Sequence, residues 1–93
     1  MRLSNYAQKQ YEKLRRAGHR PSINSLIDFL LVELAEEGPI RKNWPNYGKL
    51  SENMHHCHLK KGRPTYVACW VVVSEKEKKI EVFYVGTHEG APY

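Results

Sequence analysis

Histidine at 56 and 58 and lysine at 60 occupy alternate positions of His55-His56-Cys57-His58-Leu59-Lys60-Lys61. Alternate side chains of a strand share a face, so His56, His58 and Lys60 are expected on one side and Cys57 and Leu59 on the other. Gly62-Arg63-Pro64 then turns the chain and adds a guanidinium, and His88 and Glu89 follow a later strand-like run. If the strands pair in chain order, His88 arrives beside the start of the second strand, where the Lys61–Thr65 turn ends. Imidazoles move protons near neutral pH, while Lys60, Lys61 and Arg63 can neutralise the charge that grows on a phosphorane. The set therefore suits phosphodiester cleavage.

Two other readings use the same residues. One is a solvated sheet face of ordinary polar groups. The other is a metal site built from His56, His58 and either His88 or Glu89. Cys57 points away from it in a regular strand, and the neighbouring cations oppose a divalent ion. Trp44, Tyr47, Tyr66 and Trp70 could stack on bases. Trp70, inside an apolar run, reads as core, whereas Trp44 and Tyr47 are open to either role.

Positioning these residues falls to a small set of elements. Leu3, Ala7, Tyr11 and Leu14 form one stripe at helical spacing and predict a helix from Asn5 to Ala17, capped by Ser4 or Asn5 and ended by Gly18. Ile23, Leu26, Ile27, Leu30, Leu31 and Leu34 predict a second helix, opened by Pro21–Ser22 and stopped by Gly38-Pro39. The short Gly18 to Pro21 loop implies that the two lie antiparallel. From Ile40 to Asn53 the pattern is turn-like. The period then becomes two, with strands expected from His55 to Lys61, Thr65 to Val73 and Lys79 to Gly86. A two-residue strand at Arg2–Leu3 is weakly signalled. The plan is α+β: two N-terminal helices on one face of an antiparallel three-stranded meander.

Composition narrows the class. With 93 residues the chain is read as one domain, residues 1–93. The longest apolar run is Tyr66 to Val73, far short of the roughly 20 residues that cross a bilayer. No secretory signal is recognisable, so the expected location is cytoplasmic. Cys57 and Cys69 are expected as reduced, buried thiols. The net charge of +5 and pI near 9.3 fit a polyanion or an acidic protein partner. The charge is spread along the chain, so any nucleic-acid surface must be assembled by folding. Walker, GxGxxG, HExxH, GxSxG and CxxC motifs are all missing from the sequence.

The order of these segments resembles the RelE/ParE superfamily of bacterial toxin–antitoxin systems, the RelE-like translational repressors in particular. The resemblance rests on the helix pair ending at Gly38-Pro39, on Trp44-Pro45-Asn46-Tyr47-Gly48-Lys49-Leu50, on the His55 to Arg63 strand and turn, and on the tail Tyr84-Val85-Gly86-Thr87-His88-Glu89-Gly90-Ala91-Pro92-Tyr93. It implies a curved antiparallel sheet with two helices on one face. It also implies a metal-independent endoribonuclease, without cofactor, that cuts mRNA on the ribosome by 2′-hydroxyl attack and is restrained by a cognate antitoxin. Carried onto this sequence, the catalytic positions are His58, Lys60, Lys61, Arg63, His88 and Tyr93. His56 joins Lys60, Lys61 and Arg63 in holding RNA. The family's long first strand is reduced here to Met1-Arg2-Leu3. The alternative function is a non-catalytic, ParE-like inhibitor or inactive relative that acts only by binding protein.

Overall fold

Helical periodicity in the first third of the chain and strand alternation in the last part separate it into a helical layer and a sheet. The computed structural model describes residues 1–17 and 21–93. Its elements are β1 (Arg2–Leu3), α1 (Asn5–Ala17), α2 (Pro21–Glu37), β2 (Gly48–Lys49), β3 (Met54–Lys60), β4 (Tyr66–Ser74) and β5 (Lys79–Thr87), followed by a 3-10 turn over His88–Gly90. Ser4 starts α1 by accepting a hydrogen bond from the Ala7 amide at 3.1 Å, the expected N-cap. Gly38, with φ +94°, ends α2 in a conformation that side-chain-bearing residues rarely adopt. Gly18, expected to end α1, and the loop to Pro21 lie outside the described residues.

The sheet runs in the order β1-β5-β4-β3-β2. The α+β class matches expectation; the three-stranded antiparallel meander does not match exactly, because β3, β4 and β5 are the middle of a five-stranded sheet. The sheet itself is wider and mixed: β1 pairs parallel to β5, and β2 pairs antiparallel to β3. β1 is the strand weakly signalled at Arg2–Leu3; β2, unexpected, has two residues, too few to establish a period. β2 falls inside the stretch read as turn-like because the Leu50 amide, bonded to the Met54 carbonyl at 2.8 Å, closes a hairpin there.

α2 supplies Ile23, Ile27, Leu30 and Leu34 to the core, and α1 supplies Ala7. They meet Cys57, Leu59, Ala68, Trp70 and Val82 from the sheet, all 3 % exposed or less. The segment after α2 is clamped to this core by polar anchors. Glu33 accepts from Trp44 Nε1 at 2.8 Å, from Asn43 at 3.1 Å and from Arg41 at 3.1 Å. Burial raises the Glu33 pKa, but these three donors outweigh it and hold the carboxyl below its ordinary value. Trp70 Nε1 donates to the Pro39 carbonyl at 2.9 Å, and Tyr47 Oη meets His55 Nδ1 at 2.7 Å. Trp44, Tyr66 and Trp70 are buried and the half-buried Tyr47 packs against their cluster, so these aromatics hold the fold. Among the described residues no helix is long and apolar enough to cross a membrane.

Glu33 is the shared acceptor for Arg41, Asn43 and Trp44, so Glu33→Ala should lower stability by about 2–3 kcal/mol, the cost of orphaning a shielded guanidinium and indole. Urea unfolding of the variant should show a lower midpoint at unchanged slope; an unchanged midpoint would contradict the clamp.

Candidate active site

The sheet has a second face, away from the helices. Val67, Cys69 and Tyr84 are buried on it, with Leu50, Phe83 and Ala91 packed around them. Burial raises the Cys69 thiol to about 12 and the Cys57 thiol further still, so both are inert thiols. β3 presents His56 opposite Cys69 and His58 opposite Val67; both imidazoles are half-buried on this face.

His88 is delivered by the end of β5. Its amide donates to the Thr65 carbonyl at 2.8 Å. Tyr84 Oη donates to the Thr87 carbonyl at 2.6 Å, pinning the residue before it. A methyl at Gly90 would lie 2.8 Å from that hydroxyl, and one at Gly86 would lie 3.0 Å from it. Both glycines therefore give the Tyr84 ring its place under the turn. The tail then folds back over the sheet, and four rings make a chain of contacts. His56 and Tyr93 are 4.7 Å apart between centroids, Tyr93 and His88 5.5 Å, and His88 and His58 5.6 Å.

His58, Arg63, Thr65, His88 and Glu89 line a cavity of about 620 Å³ beside these rings. Burial lowers the His58 pKa, and the charges of His88, His56 and Lys61 lower it further. Burial followed by His88 does the same to His56. The Nδ1 atoms of both rings are buried without a hydrogen-bond partner among the described residues. Tyr93 is raised above its ordinary value, chiefly by burial, so at neutral pH it is a phenol and no base.

The expected site residues separate into two groups. His56, His58, His88 and Tyr93 come together, Arg63 lines a cavity with His58 and His88, and Lys61 lies close enough to His58 to shift it. Lys60 does not join them. The ladder slips register between His58 and Lys60, which breaks the alternation, and Lys60 Nζ reaches toward Ser22 Oγ at the start of α2, 3.5 Å away. Nor do the histidines form a ligand set: among the described residues no three His, Cys, Asp or Glu side chains are grouped to hold a metal ion. Sequence reasoning missed Tyr84, Gly86 and Gly90 as the scaffold of the turn. Their one signal was glycine at a strand end, which marks close approach.

A comparison of the chain with family models, curated proteins and solved structures found no match.

The lowered histidines set a pH dependence. His55 is lowered too, by burial and then by Lys49. The unfolded chain binds more protons than the folded one between the folded values and the ordinary value near 6.5. Stability contributed by neutral His55, His56 and His58 is thus complete above about pH 6.5 and is lost as pH falls through the folded values. The urea midpoint should fall between pH 7.5 and 5.0, and His56→Gln/His58→Gln should flatten that fall. A profile identical to the parent's would contradict the shielding of these rings.

Proposed function

We propose that this chain is a metal-independent endoribonuclease toxin that cuts mRNA on the ribosome, blocks translation, and is restrained by an antitoxin protein. The observation that carries the reading is the edge-to-face pair of His58 and His88, 5.6 Å apart, beside a cavity that Arg63 also lines. The net charge of +5 and the order of motifs along the chain support it. Cytoplasmic action follows from the same reading.

In the proposed reaction the 2′-hydroxyl of one nucleotide attacks its own 3′-phosphorus. His58, with its lowered pKa, takes the hydroxyl proton. The bond from phosphorus to the 5′-oxygen breaks as His88 gives that oxygen a proton, leaving a 2′,3′-cyclic phosphate and a 5′-hydroxyl. Arg63 and Lys61 neutralise the phosphorane. Tyr93, 43 % exposed, stacks on a base and splays the nucleotides toward in-line geometry. His56 backs the Tyr93 ring. Lys60, turned toward α2, contributes only to the general positive field.

His58→Ala and His88→Ala should each cost about 10²–10⁴-fold in the rate of ribosome-bound mRNA cleavage. Tyr93→Ala should cost about 10–100-fold, Tyr93→Phe little, and Lys60→Ala less than Arg63→Ala. Full cleavage by both histidine variants would overturn the catalytic assignment. Growth arrest without any cleavage would point to an inhibitor that acts by protein binding alone.

A further inference from the structure

The cations of α1 fall into two sets. Arg15 is engaged, donating to Asp28 at 3.0 Å and to Tyr11 Oη at 3.0 Å. Lys9, Lys13 and Arg16 recur at i, i+4 and i+7, which places them on one helix stripe. All three are exposed, and none forms an ion pair among the described residues. Tyr6 continues the stripe one turn earlier. It is 61 % exposed, yet its ring is held against Tyr84 at 6.4 Å with 30° between the planes. A largely exposed aromatic ring thus rests against Tyr84 beside cations that form no ion pair among the described residues.

A groove of about 470 Å³ runs between α1 and the end of β5. Tyr6, Lys9, Gln10 and Lys13 form one wall, and Tyr84 and Thr87 the other. Among the described residues no carboxylate lines it. It adjoins the histidine cavity through one rung of the sheet: Tyr66 pairs with Thr87, and the next residues outward, Thr65 and His88, are bonded to each other and line that cavity.

We propose that this groove is a second subsite for single-stranded RNA, occupied by the part of the strand that continues past Thr87 from the His58–His88 cavity. A base stacks on Tyr6, and consecutive phosphates lie along Lys9 and Lys13, which the helix separates by about 6 Å, a span suited to one nucleotide of extended backbone. The continuity with cleavage rests on the nuclease reading above; the binding itself does not. An acidic peptide would use the lysines but leave the aromatic platform idle, whereas a single strand uses both.

Fluorescence anisotropy of a labelled, uncleavable 2′-O-methyl oligoribonucleotide with the full chain, free of ribosomes, tests this. Tyr6→Ala should weaken binding about 5–100-fold, as loss of one stacked base does, while Tyr6→Phe binds like the parent. Lys9→Ala/Lys13→Ala should reduce the slope of log affinity against log salt by about 1.4, two phosphates at about 0.7 each. Because these side chains are exposed, melting temperatures should match the parent's. The proposal is overturned if the parent does not bind, if both variants bind with parental affinity and slope, or if polyglutamate competes as well as unlabelled RNA at equal charge. A chain that binds through Tyr6 but never cuts RNA supports the groove and sinks only the nuclease reading.

Discussion

Burial of β4 on both faces is the constraint on which the rest depends. Tyr66 to Trp70 are all buried, but the two helices cover only one side of the sheet. Val67 and Cys69 face the other side, and apolar surface left there would forfeit about 25 cal/mol for every Å² exposed. Tyr84 of β5 completes this second cluster, Phe83 and Leu50 pack against it, and the tail adds Ala91. Folding the tail across the open face is what sets Tyr93 on His56 and His88 on His58. The candidate site is thus assembled by the same packing that completes the second core.

That origin explains its electrostatics. A tail packed over the sheet shields His56 and His58 from water and leaves both Nδ1 atoms without partners among the described residues. The same shielding, together with nearby positive charge, favours neutral imidazole at His58, the form a proton acceptor needs. The turn bearing His88 is held separately, by Tyr84 Oη on the Thr87 carbonyl and by two glycines that make room for the ring.

Much of this was legible in the residues. The stripe from Ile23 to Leu34 and the alternation from His56 to Leu59 each set a period over enough positions to specify an element and a buried face. The approach of His88 to the Lys61–Thr65 turn followed from chain-order pairing. Lys60 was not legible, because a register slip reverses a side chain without leaving a mark in residue type. β1 coincides with the strand weakly signalled at Arg2–Leu3, whereas β2 is a two-residue strand fixed by a hairpin, which no local period encodes. Tyr47 and Trp44 were open to either role, although loop aromatics most often anchor a loop onto the core, and the positions of His55 and Glu33 give them that anchoring role.

The central claim is that paired histidines, acting on a 2′-hydroxyl, cut RNA at this site. Its most direct test is the chemistry of the new ends. Ribosome-bound mRNA treated with the purified chain should yield upstream fragments ending in a 2′,3′-cyclic phosphate and downstream fragments beginning with a 5′-hydroxyl, open to labelling by polynucleotide kinase without prior dephosphorylation. Fragments ending in a 3′-hydroxyl and beginning with a 5′-phosphate would require a water nucleophile and would contradict the account.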